Sequence, residues 1–400
     1  MSSKARIIEN LQKEIDGVQE GVLLIVKLTN INELKILIND TKYIIDQFYQ
    51  MVEKSCLKSN NFAIIETDNP TKLYIVLPDN DKMAEKIAYS IYKQAQLYVD
   101  ADVPESYLKC NIGSIEFDSK QRNADKLLTL LLYGMSTTKD RNYYYNYNEN
   151  PIDIEELRRR NSNLNLLRNS LLKKKVRFMY QPIIDRESGN IEYYECLLRV
   201  LDEHNELISI GSMIEDAESK GLINIVDSTV IDMAIQELDV DKKISLSVNI
   251  SNIGVLNKRL LRRIENQFKK YDVASRLIIE ITETSLNQDF INTKKFIDTL
   301  HAYGCRFALD DFGSCFTSFK QLLNLPIDII KIDGSYIRDI LNNNHSRFFV
   351  ESLINLASDL GIKTVAEYVE NGEIARFLIE VKVDAMQGNF FLPASEKRIN

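Results

Sequence analysis

The stretch CRFALDDFGSCF, residues 305–316, decides how the chain is read. An apolar, strand-like run ends at two adjacent aspartates, Asp310 and Asp311, and a glycine turn follows at Gly313. Neighbouring carboxylates repel, so the pair points to a third party, most simply a divalent cation. A solvated loop after a strand accounts for the same residues without one. What separates the two readings is whether the rest of the chain brings more ligands to the same place.

The chain has 400 residues, enough for two or three domains. Its 44% hydrophobic and 27% charged residues are ordinary for a soluble globular protein. A net charge of −8 gives no reason to expect DNA or a membrane surface as partner. The five cysteines are scattered and form no CxxC pair, which fits a reducing cytoplasm and neither a disulfide framework nor a zinc site. The residues MSSKARIIENLQKEIDG read as an amphipathic helix, not a signal peptide. No run approaches the ~20 apolar residues of a membrane span. The three histidines lie far apart in sequence, so a metal site has to be built from oxygen ligands, for Mg²⁺, Mn²⁺ or Ca²⁺.

Two regions differ in texture. In residues 1–150, GVLLIVKL, KLYIVLP and LKCNIGSIEF read as strands between long helical patterns, an α/β arrangement. The polar stretch DRNYYYNYNENP reads as a boundary, and residues 151–174 as a solvated linker helix whose basic flanks lack the aromatic platform of a nucleic-acid binder. From residue 175 to 400, apolar strands alternate with amphipathic helices: VRFMYQPII, EYYECLLRV, KISLSVNIS, RLIIEITE, CRFALDDF, IDIIKIDG and IKTVAEYV, with a shorter candidate at VDAMQG. That alternation predicts parallel βα units closed into a TIM-like (β/α)8 barrel.

The polar residues inside these strands fall in a consistent place. Glu195, Asn249, Glu280, Asp310 with Asp311, Lys331, Glu367 and Gln387 each stand near the C-terminal end of a strand. In a parallel barrel those ends converge on one face. Acids meeting there repel unless cations hold them, and two divalent ions about 3.5–4 Å apart would do so, with the aspartate pair serving both. Lys331 is then either a counter-ion for the acids or a group that polarises water for phosphate-ester hydrolysis.

These segments resemble the EAL-domain family of cyclic di-GMP phosphodiesterases, over roughly residues 160–395. QPIIDRESGNIEYYECLLR is similar to the family's opening signature, and VNIS, EITE, DDFGSCFTS, IKIDGS, AEYVE and QG follow in family order. The resemblance implies a two-metal site with Mg²⁺ or Mn²⁺. Glu195, Asn249, Glu280 and Asp310 would bind one ion, Asp311 and Glu367 the other, with Asp310 bridging. It assigns catalysis to Lys331, Glu195 and Glu367, the solvent network to Gln387 and dinucleotide contacts to Gln181, Leu197 and Arg199. Glu283 would brace the loop after Asp311. The implied reaction opens cyclic di-GMP to linear pGpG in the cytoplasm, in a homodimer.

The first region is similar, more distantly, to GGDEF domains, the diguanylate cyclases. The catalytic hairpin reads TDNPTKLYIVLP, where Asn69 and Pro70 replace glycines, Thr71 and Lys72 replace acids, and Lys27 stands where an aspartate would bind metal. An ammonium repels the ion such a site should hold, and Pro70 removes a backbone N–H. This implies a degenerate, regulatory or dimerising domain open to a protein partner. Within the second region Cys196 replaces alanine, Val200 a common tryptophan, Cys315 and Tyr368 glycines, and Asn389 a usual tyrosine. No ligand is lost. The alternative reading, motivated by Cys315 and Tyr368, is a catalytically silent cyclic di-GMP receptor.

Overall fold

The strand Gly21–Leu28 (β1) is buried on both faces, as in a sheet covered by helices on each side. Val22, Leu24 and Val26 pack with Phe48 and Ile87 of the helices Thr41–Cys56 and Asp81–Gln96. Leu23 and Ile25 pack with Leu11 and Leu127 of the helices Ser3–Asp16 and Ala124–Thr137. With Ala63–Ile65 (β2), Lys72–Leu77 (β3), Cys110–Phe117 (β4) and Tyr144–Asn146 (β5), the sheet order is β2-β3-β1-β4-β5. Among the described residues only the β4–β5 pairing of this sheet is parallel. The tyrosine-rich stretch read as a boundary therefore contributes an edge strand, Tyr144–Asn146, in which Tyr145 and Asn146 are buried and the tyrosines suit a strand.

This architecture comes from a computed structural model, which describes residues 3–37, 41–59, 61–65, 67–78, 81–99, 107–137, 143–313 and 322–399. The chain divides into two compact units, Met1–Leu157 and Arg158–Asn400. No helix among the described residues is long and apolar enough to cross a membrane.

The second unit is a closed barrel. Its strands are Val176–Asp185 (β6), Ile191–Leu201 (β7), Leu207–Ser209 (β8), Leu246–Asn249 (β9), Leu277–Thr282 (β10), Arg306–Phe312 (β11), Ile329–Ile332 (β12), Lys363–Ala366 (β13) and Ala385–Met386 (β14). The order β6-β14-β13-β12-β11-β10-β9-β7, closed by a β6–β7 pairing, makes a ring of eight, with β8 outside on β7. One expectation fails. β6 runs antiparallel to both neighbours, so the ring is not built throughout of parallel βα units. Only a short turn containing Gly189, at φ 67°, separates β6 from β7, and so tight a connection can make only an antiparallel hairpin.

The linker helix differs from its expectation too. Ile154–Leu172 carries Leu164 and Leu167 into the barrel's hydrophobic core, buries Ser170, and ties Arg160 to Asp216 by an ion pair. A stripe of leucines three residues apart makes this helix part of the barrel's packing.

Candidate metal centre and active site

Side chains on one face of a strand recur every second residue. The barrel uses that period to stack two layers. Ile183, Tyr193, Ile278, Ala308, Ile329, Val365 and Ala385 form a buried cluster inside the ring. Ser247, fully buried, lies in register with Glu195 and Ile278. Two residues further along the parallel strands stand Glu195, Asn249, Glu280, Asp310, Lys331, Glu367 and Gln387. On reversed β6 the same step runs backwards, to Gln181, which lies opposite Glu195. An apolar floor thus carries a polar layer at the C-terminal ends of the strands.

Lys331 is the hub of that layer. Its Nζ lies 2.7 Å from Glu280 Oε2, 2.8 Å from Glu367 Oε1, 3.1 Å from Asp310 Oδ1 and 3.3 Å from Glu195 Oε2. Burial disfavours the ammonium, but Asp310, Glu195, Glu280 and Glu367 together hold its pKa well above the ordinary lysine value. It therefore stays protonated. Glu195 also accepts from Asn249 Nδ2 at 2.8 Å and from Gln387 Nε2 at 2.7 Å, and Gln387 reaches Gln181 Oε1 at 3.2 Å.

The acids do not share this compensation equally. Burial pushes Glu195 up, but Lys331, Gln387 and Asn249 outweigh it and hold the group below its usual value. Glu280 has Lys331 on one oxygen only, and burial together with repulsion from Glu195 drives it well up. Burial likewise raises Glu367 to about 8, against the opposing pull of Lys331. Asp311 rises to about 6 through burial and then through Asp310 and Asp333.

Oxygens of Asp310, Asp311 and Glu367 lie within 4.8 Å of one another. Glu280 Oε1 and Gln387 Oε1 are buried without a hydrogen-bond partner among the described residues, and Asp310 Oδ1 has only its ionic contact with Lys331. Ionised together, five carboxylates against one ammonium leave four negative charges, the charge of two divalent cations. Oxygen donors with unused lone pairs and excess negative charge fit hard divalent ions.

The remaining sequence-read residues fall around this layer. Leu197 and Arg199 continue the Glu195 face of β7 and are half-buried. Glu283, buried at the start of the helix Glu283–Gln288, accepts the N–H of Gly313 at 3.2 Å. Cys196 is buried with its thiol pKa pushed well up by desolvation, so it packs as a small hydrophobe, and Val200 is fully buried. Tyr368 takes the left-handed conformation at φ 53°, with its ring packed on Gly334 and Arg338 lying 4.3 Å over it. Asn389 donates to Glu370 at 3.1 Å. Cys315 lies outside the described residues.

Two site residues escaped the sequence reading. The Tyr193 hydroxyl is buried beneath the acids without a hydrogen-bond partner among the described residues, on a strand where it stands beside a second tyrosine, Tyr194. Asp333 hydrogen-bonds the Asp311 carboxyl. Its signal was present, since it stands two residues beyond Lys331 and so on the same face.

A family model described as the EAL domain matches residues 164–394, more than half of the chain. The chain belongs to the EAL domain family. Its EAL domain is 33% identical over 238 residues to the cyclic di-GMP phosphodiesterase PdeF of Escherichia coli, covering 58% of this chain and 32% of PdeF. The chain thus spans about a third of that relative's length. Among solved structures, the EAL domain is similar to the PaMucR phosphodiesterase in complex with c-di-GMP, with a TM-score of 0.56 and 26% identity over 58% of this chain and 97% of that one. Vibrio cholerae LapD, solved as S helix, GGDEF and EAL, covers 96% of the chain and 92% of its own, with a TM-score of 0.54. At 20% identity that likeness is one of fold.

Proposed function

We propose that this chain hydrolyses cyclic di-GMP to linear pGpG with two Mg²⁺ or Mn²⁺ ions. The observation that carries the reading is the polar layer itself: a protonated lysine among four carboxylates, with oxygens left unpaired among the described residues. Glu195, Asn249, Glu280 and Asp310 would hold one ion, Asp311 and Glu367 the other, and Asp310 would bridge. When bound, the ions lower the pKa of water and neutralise charge on the phosphodiester.

The chain's own residues do the rest. Lys331, fully protonated, cannot accept a proton, so its part is to donate to the attacking water and to the developing phosphate charge, fixing their line of approach. Glu195 is held in one orientation by Asn249 and Gln387, which would keep it placed to bind an ion. Gln387 relays that restraint to Gln181, which with Leu197 and Arg199 would seat the dinucleotide at the mouth. Glu283 holds the backbone after Asp311.

For the first unit we propose a GGDEF-like domain that makes no cyclic di-GMP and acts in regulation, in dimerisation or on a protein partner. Lys27 faces Lys72 in register across β1 and β3, and the turn before β3 is closed by Thr67, Asn69 and Thr71 side chains. Two ammonium groups at that end offer Mg²⁺ no ligand.

Incubation with cyclic di-GMP and Mg²⁺ or Mn²⁺, followed by chromatography beside a Glu195→Ala control, tests the reading. pGpG from the natural sequence alone is the expected result. Nucleotide binding without any product would make the chain a receptor instead.

A further inference from the structure

In a regular strand, Asp310 and Asp311 would point to opposite faces. They share a site only because β11 is broken between them. Its pairing with β12 slips between Leu309 and Phe312, and Asp311 takes the left-handed conformation at φ 52°. A bulge of this kind re-aims a side chain, and a non-glycine residue in that region is disfavoured, so the backbone beyond it has to be held.

The anchor is Gly313. At φ 102° it lies so close to two rings that a Cβ there would sit 2.6 Å from Phe349 Cζ and 2.8 Å from Tyr336 Cε2. Those rings stack on one another with centroids 4.1 Å apart at 22°. The Gly313 N–H donates to Glu283, while the Tyr336 hydroxyl donates to the Gly313 carbonyl at 2.9 Å. Tyr336 belongs to the short helix Gly334–Arg338, which starts three residues after Lys331. The residue that latches the bulge and the residue at the hub therefore leave the same strand.

We infer that Tyr336 is a positioning residue of the metal site: its hydroxyl holds the Gly313 carbonyl and thereby the bulge that turns Asp311 toward Asp310 and Glu367. The role rests on the metal-dependent reading above. Tyr336→Phe keeps the ring and its stacking and removes only the latch.

Calorimetric titration of the full chain with Mn²⁺, made beside thermal unfolding in EDTA, tests it. For Tyr336→Phe the expected result is Mn²⁺ affinity lower by roughly 3- to 10-fold, the loss of one hydrogen bond, with an unfolding midpoint near that of the natural sequence. Phe349→Leu keeps the hydroxyl and loses the stack, so its midpoint should fall while its Mn²⁺ affinity stays within about 2-fold. Equal affinity in Tyr336→Phe and the natural sequence overturns the role alone. So does an equal loss of affinity in Phe349→Leu, which would make the contribution one of packing. Failure of the natural sequence to bind Mn²⁺ overturns the metal reading and this role together.

Discussion

Lys331 and Tyr193 show how differently a buried polar group can stand with its surroundings. Lys331 compensates four carboxylates, so Lys331→Met should cost about 3–5 kcal/mol of stability in EDTA by leaving those charges unpaired. Added Mn²⁺ should recover part of the loss, and denaturant unfolding with and without metal measures both effects. Tyr193 is the opposite case. Its hydroxyl is buried and unpartnered among the described residues, so Tyr193→Phe should raise stability by about 1 kcal/mol. A fall in the denaturant midpoint would mean that the hydroxyl has a buried partner, such as water. The acids and the lysine were legible in the sequence because each ends an apolar run. Tyr193 was not, since an aromatic in a strand signals packing and says nothing of where its hydroxyl ends.

The elements around the site carry their own electrostatics. Asp227, buried in the helix Ile223–Val240, accepts from Ser251 Oγ at 2.7 Å and from Ser251 N at 3.2 Å. Ser251 caps the helix Asn252–Val255, two residues after Asn249, so this bond steadies the end of β9. Burial raises Asp227 to about 6, with Ser251 opposing. A carboxyl whose folded pKa lies above its unfolded value binds its proton more tightly when folded. Its contribution is therefore fully present below about pH 3.8 and is lost as the pH rises through about 6. Asp227→Asn removes that dependence, so its stability relative to the natural sequence should climb between pH 4 and pH 7 by on the order of 2–3 kcal/mol. Unfolding curves at four pH values across that range decide it. At this scale the apolar runs of β7 and of β9 to β13 were readable from the sequence. The direction of β6 was not, because side-chain alternation looks the same in either orientation and only the short turn after it settles pairing. β5 and β8, at three residues each, are too short for any periodicity to register.

For the whole molecule, two units with separate hydrophobic cores need not unfold as one. A ligand stabilises only what it binds. Mn²⁺ at about 100 times its dissociation constant should stabilise the barrel by about 2.7 kcal/mol and leave the transition of the first unit in place. Calorimetric scans with Mn²⁺ and with EDTA would show one transition moving against a fixed one. Equal shifts in both would mean that the units unfold together. The stacking of the barrel's interior has one more consequence. Each residue of the polar layer stands two positions from a floor residue on its own strand, so a slip of one position would turn a layer acid outward and bring its neighbour in its place. A strand cannot be slightly misaligned and still contribute. Closing the ring in the right alignment and assembling the polar layer are therefore a single event, and the barrel proofreads that layer as it folds.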